Sequence, residues 1–180
     1  FNPLTLALGA GATFVSRTID KETKHLQEMI SKSYAHKGTS FMEIYQNCNI
    51  FNDGAFSSLT DKETKLDTVL WLENKSPMLF GAEKNKGIKL DGNTPTVVEI
   101  GDKWSLDDIL VHDESDYVIA SLLSNMTYND SFPDPIGVLY AIEDTTYEDM
   151  MMNQINEATK KKDKATIQDI VNAGDTWVVK

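Results

Sequence analysis

The chain has 180 residues, 41% of them hydrophobic and 25% charged, and its 28 acidic against 17 basic side chains give a net charge of −11. That length sustains a domain-sized core and the mixture is ordinary for a globular protein, but the acidity argues against nucleic-acid binding, which needs clustered Lys and Arg. No run of eighteen apolar residues appears, so no membrane-spanning helix is expected, and the single cysteine excludes an internal disulfide framework and fits a reducing, cytoplasmic compartment.

Taken in chain order, Pro3 suits the first turn of a helix, and LTLALGAGA is small and apolar up to Gly9 and Gly11. ATFVSRTI, residues 12–19, is rich in β-branched side chains and predicts a strand. Asp20 is expected to cap a helix over 21–37, with Leu26, Met29, Ile30 and Tyr34 on one apolar face, His36 and Lys37 in its last turn, and Gly38 as C-cap. TSFMEIYQ, residues 39–46, reads as a strand covered on both faces, since Phe41, Met42, Ile44 and Tyr45 do not alternate with polar residues. Strand, helix and strand in that order predict a right-handed parallel crossover.

Beyond Asp53-Gly54 the segments become short and turn-rich. LWLE, MLFG, GIKLDG and TPTVVEIG read as small strands, with turns at 74–77, 91–93 and 101–102. Thr60 with Glu63 and Thr145 with Glu148 have capping-box spacing, the second opening a helix over 146–162. Residues 117–126 predict a mostly buried helix, and 166–174 a short final one stopped by Gly174. The sequence shows no internal repeat and no low-complexity tract.

Few residues offer chemistry. Cys48 stands just beyond the end of the second strand, at the sheet edge where open α/β folds bind ligands. Read from the residues alone, a lone cysteine is a small buried hydrophobe, and its neighbours Asn47 and Asn49 bring no positive charge to lower the thiol pKa. Asn52, Asp53 and Gly54 read as a turn, the other reading being a cofactor contact by Asn52 or Asp53 near the strand ends. His25 is expected on the surface and His36 at a helix end, while His112, beside Asp113 and Glu114, reads as structural unless a carboxylate pairs with it. Lys160, Lys161, Lys162 and Lys164 fit a solvated helix end, and Met150, Met151 and Met152 fit core or partner packing. There is no glycine-rich phosphate loop.

Six pieces in one order resemble a known family: FNPLTLALGAGATFVSRTID, HKGTSFMEIYQNCNIFNDGAF with QNCNIFND inside it, KGIKLDG, ILVHDE, PDPIGVLYAIE and the closing GDTWVVK. Together they are similar to the C-terminal part of the β subunit of 2-oxoacid:ferredoxin oxidoreductases, most closely the 2-oxoglutarate type. The resemblance implies an α/β fold: residues 1–56 as the second half of a thiamine-diphosphate-binding parallel-sheet domain, and 57–180 as a C-terminal extension of short strands and helices packed on it. It implies decarboxylation of a 2-oxoacid with coenzyme A to an acyl-CoA, with electrons passing to ferredoxin, and an α subunit as partner. Thiamine diphosphate, magnesium and a 4Fe-4S cluster are the implied cofactors of the full subunit. Cys48 matches the fourth thiolate of that cluster, with Asn49 where family members often carry proline. The paired-cysteine and Gly-Asp-Gly-Asp motifs of the family's upstream half do not occur here, so these 180 residues are expected to be a piece of a larger subunit, inactive and without cofactor on their own. Without upstream strands, an exposed apolar face and an unpaired edge near residues 12–19 or 39–46 are expected to invite self-association. The alternative reading is a non-catalytic interaction module that keeps the fold.

Overall fold

The computed structural model describes residues 1–127, 129–161 and 166–179, which fall into two compact units, 1–144 and 145–180. In the first, Asn2 accepts a hydrogen bond from the Thr5 N–H and Pro3 opens α1 (Pro3–Gly9). β1 (Phe14–Ile19) follows and is buried along its whole length. α2 (Thr23–Ala35) crosses to β2 (Ser40–Tyr45), which pairs parallel with β1 from Phe14↔Ser40 to Ile19↔Tyr45, as the sequence pattern predicts.

Two short helical turns, α3 (Ser57–Thr60) and α4 (Lys65–Thr68), lead to β3 (Val69–Trp71). β4 (Leu79–Phe80), β5 (Lys86–Asp91) and β6 (Thr94–Glu99) form an antiparallel three-stranded sheet, with β5 and β6 joined at Gly92 and Asn93. A 3-10 turn (Leu106–Asp108) and α5 (Tyr117–Met126) precede β7 (Asp134–Ala141).

β7 is a strand the pattern analysis did not assign, yet it lies inside the main sheet, whose order is β2-β1-β7-β3. It runs antiparallel to β1 and parallel to β3, so the sheet is mixed: two parallel pairs meet across one antiparallel ladder. β3 and β7, from beyond residue 57, thus share the sheet with β1 and β2.

Successive β1 side chains go to opposite faces. Val15 joins Leu4, Leu8, Leu123 and Leu139 in the larger core, and Phe14 joins Met29 and Val138 in a smaller one. A third cluster gathers Ile19, Tyr45, Leu59, Val69 and Ile136.

Several local expectations are corrected. Asp20 does not cap α2; Glu22 holds the cap position without a side-chain bond, while the Asp20 carboxylate accepts the Asn47 N–H at 3.3 Å. Only Met29 of the expected α2 face is buried, packed with Phe14 and Val138, and Tyr34 is exposed. β2 is an edge strand and is not covered on both faces: Ile44 is 42% exposed. Thr60 ends α3 and caps nothing, and capping boxes form instead at Ser105 with Asp108 and at Thr166 with Asp169.

The second unit holds α6 (Tyr147–Lys161) and α7 (Ile167–Val171). Thr146, one residue later than expected, accepts the Asp149 N–H at the start of α6. Lys160 and Lys161 close that helix, where their charge complements the negative end of its dipole, and Met150, Met151 and Met152 are each about half exposed. Lys162 and Lys164 lie outside the described residues.

Candidate functional site

The chain leaves β2 at Tyr45 and returns at Phe56, where the two rings stack with centroids 4.3 Å apart and planes 12° apart. Between these clamped ends, residues 46–55 form the loop that carries Cys48. Asn52 donates its N–H to the Cys48 carbonyl at 2.9 Å, and Gly54 takes a positive φ of 79° to turn the chain back. Asp53 accepts from the Asn47 amide at 2.9 Å. Asn52 and Asp53 therefore serve the turn.

Cys48 is a free, half-buried thiol. The nearby main-chain N–H groups, that of Phe51 first and then those of Ile50 and Asn52, hold the thiol below its ordinary range, against a smaller opposing effect of burial. The sequence offered no reason for such a shift because the donors are backbone groups, which side-chain identities do not reveal. Thiolate is the form that attacks electrophiles and binds metals. Among the described residues, no group of three or more His, Cys, Asp or Glu is placed to hold a metal ion.

A second constellation was missed by sequence reasoning. Arg17, in the middle of β1, is fully buried. Its Nε donates to Glu43 at 2.7 Å, directly opposite on β2, and Nη1 reaches Thr127 and lies 3.7 Å from Asp134. The guanidinium also stands 4.8 Å from the centroid of the Tyr45 ring. Burial lifts the Asp134 carboxyl to about 6, with Arg17 pulling the other way, and burial likewise raises the Tyr45 phenol. Glu43, Tyr45, Phe56, Thr127 and Asp134 line a cavity of about 570 Å³ beside the end of β2. The available signal was a lone arginine inside the β-branched run VSRTI, since a charge there must find partners.

The histidines divide. His25 is not a plain surface residue: its Nδ1 shares a 2.8 Å hydrogen bond with Thr18 and its ring meets Trp71 edge-on at 5.1 Å. Both line a groove of about 1050 Å³ beside α2. His36 is the C-cap of α2 and bonds Thr13 at 2.9 Å. His112 is fully buried with Nε2 2.8 Å from the Val138 carbonyl, a structural tie between its loop and β7. Its neighbour Asp113 pairs with Lys75 and Ser115 and leaves the imidazole alone.

No protein-family model matches the chain. It is 33% identical over 183 aligned residues to the 2-oxoglutarate oxidoreductase subunit KorB of Mycobacterium tuberculosis, a match that covers 99% of this chain and 48% of the relative. Over 67 residues it is 40% identical to the 2-oxoacid:ferredoxin oxidoreductase subunit beta of Saccharolobus solfataricus, covering 37% of this chain and 22% of that one. The chain is a relative of the β subunits of 2-oxoacid:ferredoxin oxidoreductases. It spans about half the length of the subunit it matches end to end. Its fold is similar to that of a solved 2-oxoglutarate:ferredoxin oxidoreductase from Magnetococcus marinus with 2-oxoglutarate, coenzyme A and succinyl-CoA bound; the TM-score is 0.60 at 19% identity, covering 98% of this chain and 45% of that chain. At that identity the likeness bears on fold alone. Among the described residues, no helix is long and apolar enough to cross a membrane.

Proposed function

We propose that the chain is part of the β subunit of a cytoplasmic oxidoreductase that decarboxylates a 2-oxoacid, 2-oxoglutarate in the first instance. Coenzyme A takes the acyl group, electrons pass to ferredoxin, and an α subunit completes the enzyme. The observation that carries this reading is the alignment with a 2-oxoglutarate oxidoreductase subunit along 99% of the chain.

In this reading Cys48 is one thiolate ligand of a 4Fe-4S cluster. The residues present suit that role: a thiol just beyond a strand end, near main-chain N–H groups that favour its thiolate, is ready to accept a metal. Hydrogen bonds to a ligand sulfur also withdraw charge from it and tune the potential. A bound cluster supplies one-electron transfer. The three other thiolates must come from other segments, because Cys48 is the only cysteine here. Thiamine diphosphate and magnesium are a different case. The sequence contains no Gly-Asp-Gly-Asp run and no phosphate-cradling glycine loop, so these residues do not fit that cofactor and no step is assigned to it here. On their own, the 180 residues are proposed to be inactive.

The test is to assemble the complete β subunit with its α subunit anaerobically and follow ferredoxin reduction. Reduction that requires both 2-oxoglutarate and coenzyme A is the expected result. An assembled, cluster-loaded complex that reduces no ferredoxin with any 2-oxoacid and coenzyme A supplied would refute the assignment and leave the interaction module standing.

A further inference from the structure

We infer that Asn47 is the positioning residue for Cys48, and that its brace depends on Asp53. The inference rests on the reading of Cys48 as a cluster ligand and adds how this loop is held in shape to act as one.

Little else holds the loop's outer turn. Ile50 and Phe51 are 84% and 90% exposed, so apolar packing does not fix it. Asn47, by contrast, is half-buried at its base and reaches in four directions. Its Nδ2 donates to Asn49 Oδ1 at 2.8 Å and to Asp53 Oδ1 at 2.9 Å. Its Oδ1 accepts the Gly54 N–H at 2.8 Å. Its own N–H donates to Asp20 Oδ2 at 3.3 Å, just past the end of β1. One amide thus uses both of its N–H donors and its oxygen. It ties the residue after Cys48, the far side of the loop and the sheet edge to the residue before Cys48.

The partners also fix which way the amide points. A carboxylate must face the NH2 group and a backbone N–H must face the oxygen, so the orientation follows from the network. Neither aspartate nor alanine could repeat the pattern: aspartate lacks the donors and would face Asp53 charge to charge, and alanine lacks donors and acceptor alike. The consequence is for presentation of the sulfur. Ligand-orienting contacts outside the coordination sphere are worth 10- to 100-fold in metal affinity, and a site held loosely loses that preorganisation.

The experiment uses the full-length holoenzyme, purified anaerobically, with iron release to a chelator and the electron paramagnetic resonance signal of the reduced cluster as readouts. Asn47→Ala is expected to release iron about tenfold faster than wild type and to alter the signal. Asn47→Asp is expected to be at least as defective. The exchange Asn47→Asp with Asp53→Asn puts a donor opposite an acceptor again and keeps an oxygen for Gly54, so it is expected to recover to within about threefold of wild type. That rescue ties the effect to the contact between positions 47 and 53, and the altered signal of the reduced cluster is what a merely structural role would not produce. Wild-type iron release and signal in Asn47→Ala, or an exchange variant no better than Asn47→Asp, overturns the inference. Cys48→Ser separates the two layers. If it keeps the cluster, the ligand reading fails and takes this inference with it; if it loses the cluster while Asn47→Ala is silent, only this inference fails.

Discussion

Asp134 shows how one buried side chain can set a pH dependence. Its folded pKa of about 6 lies above the 3.8 of an ordinary aspartate because burial outweighs the pull of Arg17. The folded state therefore binds this proton more tightly than the unfolded one. From this group alone, stability is greatest below about pH 4, falls as pH rises toward 6, and levels off above, a span of roughly 3 kcal/mol at most. Losing a partner of a buried arginine usually costs stability, but Arg17 keeps Glu43 at 2.7 Å, and Asp134 is the distant partner at 3.7 Å. Asp134→Asn should thus gain about 1–3 kcal/mol on wild type at pH 7.5 and little or nothing at pH 4.5, measured by urea unfolding at both. An equal effect at the two pH values would show that Asp134 does not carry this proton. Cys48→Ser addresses the other site: the full-length, anaerobically purified subunit should lose iron and its thiolate-to-iron absorbance, and wild-type values for both would make Cys48 a packing residue. The place of Cys48 just beyond a strand was legible in the sequence. The main-chain surroundings that lower its thiol pKa, and the partners of Arg17, were not, because both depend on how the fold arranges the chain.

At the scale of elements, β7 is the informative case. Pro135 and Gly137 within DPIGVLYA weaken a strand pattern, since proline cannot donate to a ladder and glycine has no side chain to pack. The structure accommodates both. The register between β1 and β7 slips between Val15 and Ser16, leaving Leu139 as an extra residue, and Gly137 beside this bulge takes φ of 135°. A Cβ there would lie 3.0 Å from the Leu72 Cβ and 3.1 Å from its carbonyl oxygen. Gly137→Ala combines a backbone strain with a close contact to main chain and should cost about 1–3 kcal/mol or more, readable as a lowered urea midpoint. A midpoint equal to wild type would mean that β7 relaxes freely, contrary to its central place in the sheet. The elements that read well were those with local instructions. Asp91-Gly92-Asn93 announced the β5–β6 turn, and Gly92 indeed sits at φ 59°. YVIASLLSNM read as a helix and forms α5, with Asp116 ahead of it accepting the Val118 and Ile119 N–H groups. α2 misled where tertiary position overrode periodicity: Leu26, Ile30 and Tyr34 follow helical spacing, but Met29 is the residue buried, against Phe14 and Val138.

For the molecule as a whole, β2 is an open edge on a strongly acidic body. Its outer side has no partner strand among the described residues, and Ile44 lies 42% exposed along it. Such an edge invites a strand from another chain, in the complete subunit or in a second copy. The net charge of −11 opposes the second outcome, because like-charged copies repel over a Debye length of roughly 30 Å at 0.01 M salt. Salt shortens that range to about 10 Å at 0.1 M and less above, while leaving backbone pairing and apolar burial intact. Self-association of the isolated 180 residues should therefore strengthen with added salt, the reverse of an association driven by opposite charges. Light scattering across a salt series would show the mean mass rising from monomer toward dimer. Ile44→Lys should hold the mass at monomer at every salt concentration, since it removes exposed apolar surface and places a charge on the edge that would have to be buried. A wild-type chain that stays monomeric at high salt, or a lysine variant that associates equally well, would show that β2 is not the surface through which copies meet.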